Sequence, residues 1–76
     1  MEPIQILEQR FNLFPSKFAW RGQTFNVEAV AECRTELTPS GRSSAYHFWV
    51  RVNGKLWHVG QWLTSGQWWL QPEGID

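Results

Sequence analysis

Asn53 and Gly54 restrict what this 76-residue chain can fold into more than any other feature of its sequence. They separate two stretches in which aromatic and β-branched residues alternate with polar ones, YHFWVRV at 46–52 and KLWHVGQWL at 55–63. Asn and Gly both tolerate the positive φ that the two central positions of a type I′ turn require. The stretch 46–63 is therefore predicted to form a β-hairpin with a two-residue turn.

The short turn determines the register of this hairpin, because it places Val52 opposite Lys55. Side chains alternate across a strand, so the following pairs fall in turn on two faces. The face that we call the inner face holds the predicted core: Val50 with Trp57, Phe48 with Val59, and Tyr46 with Gln61. The opposite face, which we call the outer face, holds pairs that are part aromatic and part polar: Arg51 with Leu56, Trp49 with His58, and His47 with Gly60.

A second turn is predicted at Ser65-Gly66, leading into the strand QWWL. This turn would place Trp62 opposite Trp69 and bring both rings onto the outer face beside Trp49. Exposed together, the three tryptophans would form an apolar patch of roughly several hundred Å², about the largest that a soluble monomer carries. We therefore expect the outer face to be covered.

Residues 2–14 are predicted to supply that cover as a short amphipathic helix. Pro3 suits the first turn of a helix, and Pro15 would end it. The apolar residues recur at spacings of three and four: Ile4, Leu7, Phe11 and Phe14. An extended conformation stays open as an alternative, because Ile4 and Ile6 are β-branched.

The middle of the chain predicts two more strands, at 17–20 and at 23–37, joined by a tight turn at Arg21-Gly22. Small residues in the second half of the longer strand suggest a bend, or the line along which a barrel closes. A competing interpretation makes 27–36 a helix, because three glutamates recur there at every fourth position. We prefer the strand.

Together these elements predict a single, mainly β domain over residues 1–76. It would contain five antiparallel strands in up-and-down order, a small meander that forms either a twisted sheet or a partly closed barrel. The composition of residues 38–44, TPSGRSS, is typical of a flexible loop. A tail, Ile75-Asp76, ends the chain.

Charge and cysteine content limit the classes of function. Seven basic and seven acidic residues give a formal net charge of zero, which argues against a strong non-specific nucleic-acid binder. No acidic residue lies between Glu36 and Glu73, so the hairpin region is locally positive.

A single cysteine, Cys33, and the lack of a charged-then-apolar leader predict a reducing, cytoplasmic setting. No apolar run approaches the ~20 residues that span a bilayer, so we expect no membrane association.

The sequence offers little for catalysis. Cys33 with His47 or His58 could be imagined as nucleophile and base, but nothing marks the thiol as activated. No Asp or Asn is placed to orient either imidazole. One cysteine and two histidines on separate strands do not supply the four ligands of a structural zinc site. We therefore expect no catalytic residues, no metal site, no cofactor and no enzymatic activity.

The outer face is the remaining candidate for function, and three interpretations of it stay open. It could be covered as core, it could bind a protein partner as a Trp- and Arg-rich hot spot, or it could bind single-stranded DNA or RNA by stacking bases on Trp49 or Trp62. The candidate binding residues are Trp49, Arg51, His58, Trp62, Trp69, Arg21, Arg42 and Lys55. Arg21 contributes only if it projects beside Arg51; otherwise it is an exposed turn residue next to Trp20. We expect a monomer or a weak homodimer.

Four short motifs in combination resemble a known family. They are Pro15-x-x-Phe18-x-Trp20-Arg21-Gly22-x-x-Phe25-x-Val27, Tyr46-x-Phe48-Trp49-Val50-Arg51-Val52, Trp57-x-Val59 and Gly66-x-Trp68-Trp69-Leu70. Over most of residues 15–71 the chain is similar to a small bacterial domain of unknown function. That domain occurs as stand-alone short proteins and, in similar form, at the C-terminal end of the catalytically inactive Y-family polymerase homologue of the damage-inducible mutasome. The acidic residues that the family leads one to expect near the start of the third strand are replaced by Ser43, Ser44 and Ala45.

The resemblance implies a non-enzymatic accessory role near DNA replication or repair, and it supplies no catalytic residues. Combined with the outer face, it predicts a non-catalytic interaction module, a protein-binding adaptor associated with DNA-damage tolerance or replication. The alternative is weak binding of single-stranded nucleic acid through the aromatic and basic face, with Arg42, Arg51 and Lys55 meeting phosphates.

Overall fold

Seven β-strands and one short 3₁₀ helix make up most of residues 1–74, the part of the chain that the computed structural model describes. The strands are β1 (Glu2–Arg10), β2 (Phe14–Trp20), β3 (Gln23–Asn26), β4 (Ala29–Leu37), β5 (Ser43–Val52), β6 (Lys55–Trp62) and β7 (Trp68–Gln71), and the 3₁₀ helix is Pro72–Gly74. The predicted tail Ile75-Asp76 lies outside the described residues. None of the described residues belongs to a helix long and apolar enough to cross a bilayer.

All seven strands form one antiparallel sheet in the order β3-β2-β1-β7-β6-β5-β4. Two meanders, β1 to β3 and β4 to β7, are joined because the first strand pairs with the last, with Glu2 opposite Leu70. The prediction of a mainly β, antiparallel domain is confirmed. The predicted number of strands is wrong, since the sheet has seven and not five.

The sheet curls into a half-barrel because consecutive residues of the chain bind β2 and β5, the strands next to its two opposite edges. The Val27 N–H donates to the carbonyl oxygen of Ser16 in β2, at 2.9 Å. The next N–H, that of Glu28, donates to the carbonyl oxygen of Arg51 in β5, at 2.8 Å. The two edge strands, β3 and β4, are therefore separated in sequence by only these two residues.

The stretch 23–37 is extended, as preferred from the sequence, and the competing helix is wrong. The stretch is nevertheless two strands and not the single one predicted, because a bend at Val27-Glu28, before the small residues that suggested one, divides it into β3 and β4. A register irregularity between Val30 and Glu32 follows it, and Val30 packs against the core.

The connection between β4 and β5 is shorter than the predicted loop 38–44. Hydrogen bonds tie its ends together, from Thr38 N to Arg42 O at 2.8 Å and from Gly41 N to Thr38 O at 2.9 Å. Ser43 and Ser44 already belong to β5. The turn therefore covers residues 38–42.

The register predicted for the first hairpin is confirmed throughout. Val52 pairs with Lys55, and the seven pairs that follow, as far as Ala45 with Trp62, continue in the same register without a shift. Asn53 and Gly54 have φ angles of 51° and 76°, as a type I′ turn requires. The residues of this hairpin therefore lie on the inner and outer faces that the turn predicted.

The register predicted for the second hairpin is wrong by two residues. Trp69 lies opposite Gly60 and not opposite Trp62, because β6 ends at Trp62 and a five-residue connection precedes Trp68. The connection is closed by two backbone hydrogen bonds, from Trp62 N to Gln67 O at 2.9 Å and from Gly66 N to Trp62 O at 2.7 Å. A shift by an even number of residues keeps each side chain on its face. Trp62 and Trp69 therefore still share the outer face.

β1 takes the place of the predicted N-terminal helix. Ile4 and Ile6 are half-buried and pack against the core, whereas the alternate residues Pro3, Gln5 and Leu7 are exposed. Pairing with β7 gives both strands backbone hydrogen-bond partners, and this tertiary pairing outweighs the local helical spacing. Phe11 and Asn12, with φ of 57° and 54°, form the turn into β2. The helix prediction is wrong, and so is its role as cover for the outer face.

The core lies on the concave inner face and draws on both meanders. Phe18 of β2 and Phe48 of β5 are fully buried. Trp57 of β6 links the two halves, since its ring centroid lies 5.8 Å from that of Phe18 and 4.9 Å from that of Phe25. Curling thus lets one sheet bury an apolar face against itself.

The type I′ turn provides a first test of the fold. Gly54→Val should destabilise the protein, because a β-branched residue resists a φ of 76°. The strain is worth about 1–2 kcal/mol, which corresponds to a melting temperature lower by roughly 4–16 °C for a domain of this size. Gly54→Asn is the matched control, since Asn tolerates this conformation. Equal melting temperatures for the Val variant and the wild type would contradict the turn assignment.

Candidate functional site

Five aromatic side chains gather on the outer face of the sheet, and we call them the outer cluster. They are His47 and Trp49 from β5, His58 and Trp62 from β6, and Trp69 from β7. Alternation along each strand places them on the side away from the core, and the registers of β5, β6 and β7 bring them next to one another. Four of the predicted binding residues are thus assembled in one place.

Trp69 lies at the centre of the outer cluster and is only 4% exposed. Its indole lies over Gly60, where a Cβ atom would come within 2.0 Å of Trp69 Cζ2. The rings of His47 and His58 stand with their edges against it, with centroids 5.3 Å and 5.2 Å away. The two histidine rings therefore cover Trp69, which forms the buried base of the outer cluster.

The indole N–H of Trp69 is buried and finds no hydrogen-bond acceptor among residues 1–74. Its neighbour Trp62 packs beside it at a centroid distance of 5.6 Å and stays half-buried at the edge of the cluster. Trp62 is therefore the tryptophan of this pair that a ligand could touch.

Trp49 is held between two side chains from the neighbouring strands. The ring of His58 in β6 stacks on it at 4.5 Å and 9° from parallel. On the other side of β5, the Arg34 guanidinium of β4 lies 5.5 Å from the Trp49 ring centroid. Because β4 and β6 flank β5 on opposite sides, the cation and the imidazole approach Trp49 from opposite directions.

A chain of hydrogen bonds connects Glu36, His47 and His58 across three strands. His47 Nε2 donates to Glu36 Oε1 at 2.8 Å, and His47 Nδ1 lies 2.9 Å from His58 Nε2. Burial, followed by the positive charge of His47, holds the pKa of His58 below its ordinary value of 6.5. The neutral form of His58 is therefore favoured at pH 7.

The outer face is not the positive surface that the sequence suggested. Pairing with β5 brings β4 alongside, and with it Glu32 and Glu36. Glu32 binds Arg34 at 2.9 Å, and Glu36 binds His47. Strand pairing brings Glu36 beside His47, and Glu32 meets Arg34 on the same strand, so the outer face carries charges of both signs.

The remaining predicted basic residues do not converge on the outer cluster. Arg51 and Lys55 are exposed near the Asn53-Gly54 turn, and Arg51 Nη1 donates to Gly54 O at 3.4 Å. Arg42 is exposed in the turn at the opposite end of β5. These cations lie at the two ends of a ten-residue strand, and so they do not form a single patch.

Arg21 holds the beginning of β1 in place. Its Nε donates to Glu2 Oε1 at 2.9 Å, and the same oxygen accepts the indole N–H of Trp20 at 3.1 Å. The guanidinium also lies 4.6 Å from the Trp20 ring centroid. The hydrogen bond from Arg21 is the main reason that the pKa of Glu2 is lowered. The sequence pattern missed Glu2, whose partners lie almost twenty residues away.

Cys33 and the two histidines lie on different faces of the sheet. Cys33 pairs with Phe48 and shares the inner-face side of β4, whereas His47 and His58 belong to the outer face. Burial raises the pKa of the Cys33 thiol, which disfavours the nucleophilic thiolate. Within residues 1–74, no three metal-ligating side chains converge.

No family model, curated protein or solved structure matches the chain. The resemblance to the small bacterial domain therefore stays a prediction.

The contact between Trp69 and Gly60 can be tested by a double-mutant cycle. Gly60→Ala should cost about 1–3 kcal/mol of unfolding free energy, because the new methyl group overlaps the indole. In a Trp69→Leu background the same substitution should cost much less, since the overlapping ring atoms are gone. Urea denaturation of the four proteins measures both costs. Equal costs in the two backgrounds would show that Trp69 does not lie over Gly60.

The lowered pKa of His58 predicts that acid destabilises the protein. Below about pH 6.5 the unfolded chain binds a proton at this residue that the folded chain resists, so the unfolding free energy should fall as the pH is lowered from about 7.5 to 5.5. His58→Phe keeps a ring against Trp49 and should reduce this pH dependence. Urea denaturation at the two pH values measures the change in unfolding free energy. An equal change in the wild type and in His58→Phe would contradict the lowered pKa of His58.

Proposed function

We propose that the chain is a non-catalytic, cytoplasmic interaction module that binds a protein partner through its outer face. The observation that supports this most is a half-buried aromatic surface next to charges of both signs. Trp49 and Trp62 supply apolar area, Arg34 lies against Trp49, and Glu36 binds His47. Tryptophan and arginine dominate the hot spots of protein interfaces.

A shallow cavity of about 350 Å³ gives the outer face a place for a partner's side chain. It is lined by Arg34, Thr35, Glu36, His47, Trp49 and His58. The aromatic rings form an apolar floor, and the charged groups at the rim can direct hydrogen bonds. Such a combination suits one apolar side chain of a protein ligand with polar groups around it.

The outer cluster is also preorganised. Its rings already contact one another, from Trp49 on His58 to Trp62 on Trp69, so binding would immobilise few additional rotamers. Ordering a flexible side chain at an interface costs about 0.5–1.5 kcal/mol. A surface with its rings already held in place avoids most of that cost.

Two features of the outer face favour protein over single-stranded nucleic acid. Trp49 already has His58 and Arg34 against its ring, and a base could stack on it only by displacing one of them. The carboxylates of Glu32 and Glu36 would repel phosphates at the same place. Nucleic-acid binding is therefore our alternative, with Arg51 and Lys55 as its phosphate contacts.

The association with DNA-damage tolerance or replication rests on the resemblance of the sequence motifs. It predicts that deleting the gene in the organism that carries it lowers survival or induced mutagenesis after DNA damage. Reintroduction of the wild-type gene should restore the response, whereas a gene carrying Trp62→Ala should restore less of it. Identical responses of the deletion strain and its parent would contradict the association.

The binding surface can be tested by site-specific photo-crosslinking in cells. A photoreactive amino acid in place of Trp62 should give a protein adduct of defined mass, because this position borders the outer cluster. The same probe in place of the exposed Gln23 of β3 is the matched control. Adding Trp49→Ala to the protein with the probe at position 62 should weaken binding of the partner and lower the adduct yield. A loss of about 2 kcal/mol at Trp49, typical of a hot spot, corresponds to a roughly 30-fold lower affinity.

A labelled single-stranded oligonucleotide separates the two functions. Its fluorescence anisotropy should not change when the protein is added at low salt. Binding that weakens steeply with salt and is lost in Arg51→Ala would support the nucleic-acid alternative instead. Equal crosslinking at positions 62 and 23 would contradict the outer face as the binding surface.

A further inference from the structure

One long edge of the sheet is open. β4 pairs with β5 on one side, and no strand within residues 1–74 pairs with its other side. It runs for nine residues, whereas β3, at the other edge, has four. The pairing of β4 with β5 is regular over residues 32–36, and a register irregularity lies at each end of this stretch. Its outward N–H and C=O groups form a template for another strand.

The regular part of β4 lacks two of the features with which monomeric proteins protect an edge. Such edges commonly carry proline or an inward-pointing charge. Here the side chains on the inner-face side are Cys33 and Thr35, which are small and uncharged. The outer-face side chains Glu32, Arg34 and Glu36 are charged, and their signs alternate.

This alternation fits a second copy of the same strand. In an antiparallel pair with two-fold symmetry centred on Cys33, Glu32 lies opposite the second copy's Arg34, and Arg34 lies opposite its Glu32. Opposite charges directly across a strand pair stabilise it. A pair centred on Arg34 would instead place like charges together. A pair centred on Thr35 would also match Arg34 with the second copy's Glu36, but Glu36 is already bound to His47 at 2.8 Å. The register centred on Cys33 uses Glu32 and leaves that ion pair intact, and we therefore prefer it.

An apolar cleft borders the same edge. It has a volume of about 370 Å³ and lies between Phe11 and Phe14 on one side and the consecutive residues 30–33 on the other. Four consecutive residues of a strand alternate in direction, so it is the edge of β4 that faces the cleft. Phe11 is 89% exposed and Leu37 is 60% exposed. The register centred on Cys33 carries the end of the second copy's β4, with its exposed Leu37, past residues 30–32 and towards this cleft.

We propose that two copies of the chain pair through β4, antiparallel and in the register centred on Cys33. The two seven-stranded sheets then become continuous, and each copy's Leu37 is covered near the other's cleft. The outer faces of the two copies lie on the same side of the joined sheet. This interface uses β4 and does not depend on the proposed binding function of the outer cluster.

Charge reversal tests the pairing. Arg34→Glu places Glu opposite Glu32 in a homodimer, and Glu32→Arg places Arg opposite Arg34, so each variant alone should be monomeric where the wild type dimerises. An equimolar mixture should form heterodimers, because both charge pairs are then restored. Sedimentation equilibrium measures all four samples, and circular dichroism verifies their folding. Trp62→Ala, which alters the outer cluster only, should dimerise like the wild type.

Disulfide trapping tests the register. Directly opposite residues of an antiparallel pair have Cα atoms about 4.5–5.5 Å apart, which is within the range for a disulfide. An added oxidant such as diamide should take two electrons and two protons from the two Cys33 thiols and leave a covalent dimer. Cys33→Ser should give none, and neither should Thr35→Cys in the Cys33→Ser background.

Three outcomes would overturn the proposal. One is a wild type that stays monomeric at every concentration and gives no trapped dimer. Another is dimerisation of both charge-reversal variants with wild-type affinity, which would place the interface elsewhere. The third is efficient trapping through position 35 and not through position 33, which would contradict the register.

Discussion

The pairing of β1 with β7 is the contact on which the rest of the structure depends. It joins two meanders that are separate in sequence, and it places Ile4 beside Trp68 on the inner face. The Glu2 carboxylate, held by Arg21 and Trp20, anchors the beginning of β1. With the meanders joined, the bend at Val27-Glu28 can reach both edges of the sheet and curl it. The joined core and the curvature follow from this pairing, whereas the outer face is assembled by the registers of β5, β6 and β7.

A single sheet has two faces, and this chain buries them in different ways. The inner face is closed by curvature, with Phe18, Phe48 and Trp57 from different strands meeting in the concave side. The outer face has no second layer among residues 1–74, so its rings pack on one another. Trp69 can lie flat because Gly60 offers no side chain beneath it. The high tryptophan content therefore serves both faces, and only the rim of the outer one remains available to a ligand.

Local features of the sequence predicted local structure well. The Asn53-Gly54 turn determined eight cross-strand pairs and both faces of the hairpin, because the geometry of a tight turn passes directly into the register. The longer second connection could not be recognised from Ser65-Gly66, and only the even shift preserved the faces. β1 was missed because its apolar spacing also fits a helix. Its strand form rests on two ladders, a longer one with β2 and a shorter one with β7, from the other end of the chain. The Glu36 to His47 contact was missed because it arises from strand pairing around the β4 to β5 turn, whose length was not known.

The pairing of the first strand with the last also bears on how the molecule reaches its folded state. The β5 to β6 hairpin closes a loop of two residues, whereas the β1 to β7 ladder must bring together opposite ends of the chain. Closing a long loop costs entropy before any contact compensates for it. We therefore expect the C-terminal meander to form early and the N-terminal strand to dock late. Until β1 docks, the edge of β7 that will pair with it has free N–H and C=O groups. The incomplete sheet also exposes Trp68 and Leu70, so we expect this folding intermediate to be the species most prone to aggregate.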